Sequence, residues 1–414
     1  MAQEVFCCCE YENRQGERSH LLACCCDCEA LDQIADRCFK CESIPPSLID
    51  NFLDTLGDRC RIPGITGGGA LRVNLELATP LVVIPTSLIL ASIGPITTFC
   101  VLLFLPCFCA FFYSTWKRRT NKLRTKFFFI WGLVSLVFMY ILFELVICGY
   151  TRVSYSDNIL MTVAVIGMLV ALKFAKQDPG VLVEDKREKY MQDSYGFFGV
   201  YTNTEEQKAE DEDFEVIQME DVMNEEETDA VIKGDHPLSK GDNWCVKCEL
   251  QKPPRSGHCN VCDVCIADRD HHCVWIDSCV GRKNHRSFLV AMVMFVFVGC
   301  YGSYVTLAAV CDPAWPHDPF CPSYMAYREF KWGLCYASAW YTLLVCCIMA
   351  VGLVHQIVLI SQNATSQEVH RASQTGNTCW AIFIHKNSRN NGLIQNWRDF
   401  VLYKRSSRSE YETV

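Results

Sequence analysis

The sequence predicts a polytopic α-helical membrane protein with about six transmembrane helices and one small cytosolic cysteine-rich domain. Hydrophobic residues make up 50% of the 414 residues, and they are concentrated in apolar runs close to the length that crosses about 30 Å of hydrocarbon. Between residues 245 and 279 the chain holds seven cysteines and three histidines. Because Cys and His are the ligands of tetrahedral structural zinc, these ten groups suffice for two zinc sites.

The transmembrane region begins after residue 72. Four apolar runs lie within residues 73–176, at 75–92, 95–115, 127–150 and 158–175, and two more lie within residues 287–360, at 287–307 and 336–360. Pro80 and Pro85 leave two interpretations of the first run, a kinked span and a re-entrant hairpin. Glu144 lies near one end of the third run, and we expect its carboxylate to reach the membrane interface.

A short basic loop predicts the orientation. Six of residues 117–126 are Lys or Arg, and such loops between spans face the cytosol. Counting spans from this loop places both termini and the cysteine-rich domain in the cytosol. Cys311 and Cys321 then lie in a loop on the opposite side, where we expect a disulfide. Asn363, in the only N-x-[ST] sequence, is expected to stay unglycosylated because it is cytosolic.

The N-terminal region, residues 1–72, is expected to be cytosolic and contains ten cysteines. Cys25, Cys28, Cys38 and Cys41 form a C-x2-C-x9-C-x2-C pattern, which suits a small zinc site. The alternative is a set of membrane-proximal cysteines that are S-acylated or simply reduced. Both interpretations stay open.

Residues 177–242 are predicted to be an acidic disordered linker. Carboxylates are dense between residues 205 and 229, where aromatic residues are few. Such a segment buries too little apolar surface to offset the entropy lost on ordering. We therefore expect no catalytic carboxylate in it.

The cysteine-rich domain, residues 243–286, contains more metal-ligand groups than two zinc ions require. Three C-x2-C steps and His258 give the spacing of structural zinc sites, and two tetrahedral sites use eight of the ten groups. The sequence Asp270-His271-His272-Cys273 sets a thiol beside two imidazoles and a carboxylate. These are the elements of an activated cysteine nucleophile with its base.

The pattern C-x2-C, K-P-x-R-x2-H-C-x2-C-x2-C, D-H-H-C and C-x4-N-x3-F resembles the cysteine-rich domain of DHHC protein S-acyltransferases. The positions of that pattern outside the cysteines and histidines are also filled, by Lys252, Pro253, Arg255, Asn284 and Phe288. Val274, in place of the usual Pro, and Asp277, where Asn is common, depart from the pattern. The two extra N-terminal spans resemble a minority subgroup of the family.

Other elements of the same family appear outside this domain. Asp178-Pro179-Gly180 follows the fourth span, and Thr365-Ser366-Gln367-Glu368 is similar to the T-T-x-E element after the last span. The resemblance implies that Asp178, Pro179, Gly180, Thr365 and Glu368 pack close to the membrane beside the cysteine-rich domain. Asn391-Gly392 and Asn396-Trp397 resemble the family's C-terminal packing motif in shortened form.

The resemblance also implies roles for the residues of the site. One zinc is expected on Cys245, Cys248, His258 and Cys265, and the other on Cys259, Cys262, His272 and Cys279. Cys273 then remains free as the nucleophile, with His271 as base, Asp270 holding the tautomer of His271, and Trp275 near the mouth of an acyl pocket. The alternative for Trp275 is an interfacial anchor.

The expected reaction is S-acyl transfer. The resemblance implies that a long-chain acyl group, typically palmitoyl, moves from acyl-CoA to membrane-proximal cysteines of protein substrates through an acyl-enzyme on Cys273. It also implies a multi-pass protein of the endomembrane system, with the Golgi or the endoplasmic reticulum preferred over the plasma membrane.

Three other functions were weighed. A catalytically inactive DHHC-like scaffold would keep the zinc ligands but would not need Asp270, His271 and Cys273 together. A purely structural double zinc finger could bind protein or nucleic acid, but nucleic-acid binding conflicts with the net charge of −9, because phosphate binding requires a basic face. A transporter would need paired polar residues at mid-membrane, and the apolar runs offer few.

The C-terminal region, residues 361–414, is expected to be cytosolic and ends in Glu412-Thr413-Val414. A free apolar carboxyl terminus with an acidic residue two positions earlier matches the [DE]-x-Φ class of PDZ ligand. The alternative is an unbound polar terminus.

Overall fold

The computed structural model describes residues 10–13, 18–20, 28–40, 42–63, 70–119, 124–183, 186–187, 189–191, 244–312, 319–379 and 382–402. The cysteine pattern at Cys25 and Cys41, the acidic run at residues 205–229 and the C-terminal residues 403–414 lie outside the described residues. The hypotheses about an N-terminal zinc site, the disordered linker and the PDZ ligand therefore stay predictions.

The described part of the N-terminal region forms small elements beside the bundle. Two strands, β1 (Glu10–Glu12) and β2 (Arg18–His20), pair in antiparallel fashion. Helices α1 (Cys28–Phe39) and α2 (Pro46–Arg59) follow, and β3 (Arg61–Ile62) pairs with β4 (Leu71–Arg72). Arg61 lies 4.1 Å from the centre of the buried Tyr11 ring. This contact joins the first hairpin to the segment that leads into the membrane helices.

Among the residues that the structure describes, five helices are long and apolar enough to cross a membrane. They contain the candidate spans Pro95–Ser114 in α4 (Pro95–Arg119), Phe127–Cys148 in α5 (Phe127–Leu142) and the π-helical turn after it, Tyr155–Ala175 (α6), His285–Cys311 (α7) and Phe330–Ser361 (α9). The short α8 (Ser323–Ala326) precedes α9. The α7 helix packs along both α6 and α9, so these three helices form the centre of the bundle.

The first predicted span is a shorter helix, α3 (Leu75–Ala91), of 17 residues. At 1.5 Å per residue it is roughly 25 Å long, less than the hydrocarbon thickness of about 30 Å. Pro80 and Pro85 lie inside this helix without ending it. The predicted count of about six therefore resolves into five full-length helices and one short apolar helix, which packs against α4 as a hairpin.

The turn of this hairpin is held against the bundle. A Cβ atom at Gly333, near the start of α9, would lie 2.5 Å from the Ser92 carbonyl oxygen, so only glycine permits this approach. Nearby, the hydroxyls of Thr98 and Tyr327 form a hydrogen bond of 2.6 Å. The hairpin is thus fastened to α9 at the end of the bundle remote from the cysteine-rich domain.

Glu144, which was expected to reach the membrane interface, has a polar partner on the neighbouring helix α6. It lies in the π-helical turn Phe143–Cys148, where its Oε2 accepts a hydrogen bond of 3.2 Å from Asn158 Nδ2. Its Oε1 is buried. The widened π turn directs this side chain between helices, a result that a regular helical period does not predict.

The cysteine-rich domain consists of three antiparallel hairpins with little other secondary structure. They pair β5 (Trp244–Cys245) with β6 (Leu250–Gln251), β7 (Gly257–Cys259) with β8 (Val264–Ile266), and β9 (His271–Cys273) with β10 (Ser278–Val280). Such short strands bury too little surface to be stable alone. Their stability must come from metal ligands and from the neighbouring chain segments.

One such segment is the start of the predicted linker. Val181 forms a β-bridge with Ile266, and the buried Tyr190 hydroxyl hydrogen-bonds Ser278 Oγ at 2.8 Å and accepts from the Cys279 amide at 3.1 Å. The described residues from 177 to 191 therefore belong structurally to the cysteine-rich domain. Tyr190 and Val181 supply the apolar contacts that the prediction of disorder from residue 177 overlooked.

After α9, the chain returns to the cysteine-rich domain. Helix α10 (Ser366–Gln374) is followed by the hairpin of β11 (Thr378–Cys379) and β12 (Phe383–Ile384) and by α11 (Leu393–Leu402). Asn396 Nδ2 donates to the Ser361 carbonyl at 2.8 Å, and Trp397 Nε1 donates to Ser361 Oγ at 3.0 Å. These contacts anchor α11 to the end of the last span.

The predicted disulfide between Cys311 and Cys321 is present. It joins the end of α7 to the segment before α8.

Candidate active site

The first metal-ligand cluster contains Cys245, Cys248, His258 and Cys265. Its three sulfur atoms lie 3.6, 3.4 and 3.7 Å from His258 Nδ1. With zinc–sulfur bonds of about 2.3 Å and zinc–nitrogen bonds of about 2.0 Å, a tetrahedral ion requires a sulfur–nitrogen separation of roughly 3.5 Å. The donor set and its spacing therefore fit zinc, and His258 Nε2 lies 3.4 Å from Asp263 Oδ1 on the outer side.

The second cluster contains Cys259, Cys262, His272 and Cys279. Its sulfur atoms lie 3.9, 3.3 and 3.6 Å from His272 Nδ1, and the Cys262 and Cys279 sulfurs are 3.7 Å apart. This cluster also fits a tetrahedral zinc ion. Each cluster offers four protein ligands, so neither has the open position that catalytic zinc needs.

The side chains of β9 point alternately to two faces of its hairpin, which separates His272 from His271 and Cys273. Cys273 pairs with Ser278, His272 with Cys279 and His271 with Val280 across the hairpin. Successive side chains of a strand point to opposite faces, so His272 faces the cluster shared with Cys279. His271 and Cys273 face the other way, toward the membrane helices.

Asp270 and His271 form the tightest polar contact of the site. The His271 Nδ1 atom donates to Asp270 Oδ2 at 2.6 Å, and His271 and Cys273 both line the same cavity. Burial alone would lower the pKa of His271, but its hydrogen bond to Asp270 and the influence of the neighbouring Cys273 thiol outweigh burial and raise that pKa above its ordinary value. With Nδ1 committed to Asp270, Nε2 is the nitrogen left for the thiol.

Asp270 is 1% exposed and accepts hydrogen bonds from several donors. Besides His271, these are Gln356 Nε2 at 3.1 Å, the Ser366 amide at 2.8 Å and Ser366 Oγ at 2.8 Å. Burial raises the pKa of Asp270, yet the bonds to His271 and Ser366 lower it more, and its pKa falls well below the usual range. The carboxylate is therefore ionised and held in place.

A large apolar cavity of about 660 Å³ begins at these residues and runs between the membrane helices. His271, Cys273, Trp275 and Ser366 line one end of it. Cys273 is otherwise surrounded by Ala175, Ile276, Val280, Phe288 and Met292. Cavities of this size hold ligands of tens of atoms, so a long apolar chain attached to Cys273 would find room there.

The comparisons with known proteins agree with this arrangement. Residues 238–373 match the family model described as DHHC palmitoyltransferase. The chain is similar to palmitoyltransferase ZDHHC23 of Mus musculus, with 33% identity over 408 residues, which is 96% of this chain and 93% of the mouse protein.

The chain belongs to the DHHC palmitoyltransferase family.

Two further relatives are similar to this chain over most of their own length. Palmitoyltransferase ZDHHC23 of Homo sapiens is 33% identical over 377 residues, 89% of this chain and 90% of the human protein. Palmitoyltransferase ZDHHC23-B of Danio rerio is 32% identical over 412 residues, 96% of this chain and 92% of the fish protein. The chain is thus a multi-pass membrane protein with protein S-acyltransferase activity.

The predicted DHHC-family packing residues lie around this site. Asp178 Oδ1 accepts from the amides of Gly180 and Val181, both at 2.8 Å, and its Oδ2 accepts from Lys283 at 2.7 Å. Gly180 has a φ of +104°, a conformation that glycine adopts without strain. The Pro179 carbonyl accepts from the Lys283 amide at 3.2 Å. This turn fastens the end of α6 to the start of α7.

Asn284 completes that junction. It is 1% exposed, donates to the Ala175 carbonyl at 2.7 Å and to the Cys279 carbonyl at 2.8 Å, and accepts from the Gly281 amide at 2.9 Å. One side chain thus joins α6, β10 and the turn before α7. Phe288, one turn further on, packs its ring against His271 with centroids 5.6 Å apart.

Thr365 and Glu368 form a capping box at the start of α10. Glu368 also accepts two bonds from Arg255, from Nε at 3.0 Å and Nη2 at 2.9 Å, and it pairs with Arg389. The capping box presents the Ser366 amide and hydroxyl to Asp270. The T-T-x-E element therefore acts on the site through its second residue, which is Ser here.

Sequence analysis missed two polar residues of this network. Gln356, inside the last span, is 4% exposed and bonds both Asp270 and His285, with His285 Nε2 2.9 Å from Gln356 Oε1. A glutamine within an apolar run was the available signal, because polar groups in spans need partners. In the sequence, Ser366 could be recognised only as the residue that replaces the second Thr of the T-T-x-E element.

Proposed function

We propose that the protein transfers a long-chain acyl group from acyl-CoA to cysteine thiols of membrane-associated proteins, through a thioester on Cys273. The observation that carries this proposal is the position of Cys273. Among the seven cysteines of the cysteine-rich domain, it is the one outside both metal-ligand clusters, and it lies at the end of the apolar cavity beside His271.

The first half-reaction forms the acyl-enzyme. The Cys273 proton passes to His271 Nε2, and the thiolate sulfur attacks the thioester carbonyl of acyl-CoA. The bond between the carbonyl carbon and the CoA sulfur breaks, and the CoA thiolate takes a proton from His271. Asp270 keeps Nδ1 protonated, so Nε2 alone exchanges the proton.

The second half-reaction regenerates the enzyme. A substrate cysteine gives its proton to His271 and attacks the Cys273 thioester, whose acyl–sulfur bond then breaks. The Cys273 thiolate recovers its proton from His271. Acyl-CoA and protein substrate thus react in turn at one thiol, which is a ping-pong scheme.

The cavity supplies the energy for binding the acyl chain. At roughly 0.8 kcal/mol per methylene, a sixteen-carbon chain gains on the order of 12 kcal/mol by leaving water. Trp275, at the mouth of the cavity and 39% exposed, stacks edge to face on Phe128 with centroids 5.1 Å apart. It marks the place where the chain would enter.

Two zinc ions would hold the loop that carries Cys273. Cys245, Cys248, His258 and Cys265 would bind one ion, and Cys259, Cys262, His272 and Cys279 the other. Zinc in such closed sites stabilises the fold. We infer from the basic loop that the cysteine-rich domain and both termini face the cytosol. The family resemblance favours the Golgi or the endoplasmic reticulum as the compartment.

The test is acyl-CoA loading of the purified full-length protein. Wild type should form a hydroxylamine-sensitive acyl-enzyme and transfer the acyl group to a substrate protein, and Cys273→Ser should do neither while keeping two zinc ions. Cys379→Ser, which removes an exposed cysteine of the C-terminal region, is the matched control and should behave as wild type. Undiminished transfer by Cys273→Ser would favour the alternative of an inactive scaffold with a contaminating activity.

A further inference from the structure

The α4 helix presents two different faces. Val101, Leu105 and Cys109, spaced by four residues, point into the protein, and Leu105 is only 1% exposed. Between them, Leu103 is 54% exposed and Cys107 is exposed. Spacing by four places residues on one stripe of a helix. One face of α4 is therefore inside the bundle and the other faces outward.

The inward face of α4 forms part of the apolar cavity. Leu105, Pro106 and Cys109 line it together with residues of the central helices. Leu105 and Cys109 pack in one hydrophobic cluster with Trp131 of α5 and Tyr341 of α9, and Trp131 Nε1 donates a hydrogen bond of 2.9 Å to the Tyr341 hydroxyl. Cys109 and Tyr341 both line the cavity.

The α3–α4 hairpin fills the space between α5 and α9. The α3 helix packs against both α5 and α9, and α4 packs against α3 and α9. One hydrophobic cluster joins all four helices, with Ile84, Leu88, Leu105, Trp131 and Tyr341 at its centre. This hairpin is thus a wall of the cavity along part of its length.

The same hairpin reaches the loop that follows Cys273. Val274 packs against the cluster of α3, α4, α5 and α9. Asp277, which is 1% exposed, accepts a 3.1 Å hydrogen bond from Arg124 Nε in the segment between α4 and α5. Val274 and Asp277 are the two positions where the D-H-H-C region departs from the family pattern. Val274 therefore packs against the cluster that contains the hairpin, and Asp277 contacts the segment that follows it.

We propose that α4 is a specificity-determining wall of the acyl site, in which Leu105 and Cys109 set the length of acyl chain that the cavity accepts. This inference rests on the proposed function, since it concerns the chain carried by Cys273. A larger side chain at residue 109 would shorten the available path between α5 and α9. A smaller one at residue 105 would widen it.

The helix offers a matched control for each change. Cys109→Trp has its counterpart in Cys107→Trp, and Leu105→Ala has its counterpart in Leu103→Ala, with the same substitution on the outward face. Acyl-enzyme formation is measured on the purified full-length proteins with a medium-chain and a long-chain acyl-CoA in competition. Mass spectrometry of the loaded Cys273 gives the ratio of the two products.

The expected result is a change in that ratio for the inward variants alone. Losing burial of about two methylenes lowers binding roughly tenfold, so Cys109→Trp should reduce the long-to-medium ratio by about that factor. Leu105→Ala should shift the ratio in the opposite direction. Cys107→Trp and Leu103→Ala should keep the wild-type ratio.

Two outcomes would overturn the inference. Wild-type ratios in both inward variants, or an equal loss with both acyl-CoAs and no change in ratio, would show that α4 does not select chain length. Leu105→Ala keeps the test valid if the bulky Cys109→Trp fails to fold. A wild-type protein that loads no acyl group sensitive to Cys273→Ser would instead refute the proposed function, and the two failures are therefore distinguishable.

Discussion

Arg255 and Glu368 form an ion pair with two parallel hydrogen bonds, of 3.0 and 2.9 Å, between the cysteine-rich domain and the first turn of α10. Two residues before Glu368, the Ser366 amide and hydroxyl bond Asp270. The ion pair therefore positions the donors that hold the Asp270 carboxylate, although neither of its members lines the cavity that contains Cys273.

Replacing Glu368 by Gln should lower acyl transfer about tenfold while leaving both metal-ligand clusters intact. A partly buried charged hydrogen bond contributes roughly 1.5–3 kcal/mol, and its loss frees Ser366 from Asp270. The measurements are the transfer rate and the zinc content of the purified protein. Arg371→Gln, at an exposed position of the same helix, is the control and should change neither. An unchanged rate in Glu368→Gln would contradict the positioning role.

His272→Ala should lose zinc and destabilise the cysteine-rich domain, because an incomplete tetrahedral site forfeits metal-coupled folding free energy. His271→Ala, a change of the same residue type on the opposite face of β9, should keep two zinc ions per chain and lose acyl-enzyme formation. Metal analysis and thermal unfolding distinguish the two variants. Retention of two zinc ions by His272→Ala would show that the ligand assignment is wrong.

The pair of Arg124 and Asp277 should show a measurable coupling free energy. Arg124→Gln leaves the buried Asp277 carboxylate without this ion pair, which typically costs about 1–3 kcal/mol, and Asp277→Asn removes the same ion pair from the half-buried Arg124. The double variant should recover part of that loss, and a double-mutant cycle by thermal unfolding measures it. The exposed pair of Glu329 and Lys331 provides the control cycle and should show little coupling. Strict additivity of Arg124→Gln and Asp277→Asn would contradict the contact.

Asn363 should remain unglycosylated in cells. Its predicted cytosolic location is one reason, and the structure adds another, because its side chain bonds the Arg389 carbonyl at 3.0 Å and Arg255 Nη1 at 3.1 Å. Treatment with a glycosidase should not change the mobility of the protein, whereas an N-x-[ST] sequence introduced between Cys311 and Cys321 should be modified. Glycosylation at Asn363 would overturn the predicted orientation.

The C-terminal residues Glu412-Thr413-Val414 should bind a PDZ domain of the acid-selective class, since such domains capture an apolar carboxyl terminus by strand addition. A peptide with the last residues of the chain, used against purified PDZ domains, measures this. Deletion or amidation of Val414 should abolish binding. Binding that survives the loss of Val414 would remove this partner.

The amino-acid sequence alone determined the helical membrane class and the presence of enough cysteines and histidines for two zinc sites, whereas the assignment of ligands to each site came from the family resemblance. The length of an apolar run can be read directly from the local composition. The spacing of the cysteines indicates zinc binding because ligands close together in the chain can hold the same ion. The alternation of β9 is also local, so the separation of His272 from His271 and Cys273 was predictable once a strand was assumed. The disulfide between Cys311 and Cys321 was also predicted correctly, because counting the spans placed both cysteines in one loop on the side opposite the cytosol.

Only the tertiary structure decided which distant residues meet at the site. Gln356 and Ser366 reach Asp270 across 86 and 96 residues of chain, and no local period encodes such a contact. The widened turn at Glu144 and the attachment of Tyr190 to Ser278 likewise depend on neighbours far along the chain. The role of α4 as a cavity wall follows from helix packing, because the sequence shows that a helix is apolar but not which other helices it separates.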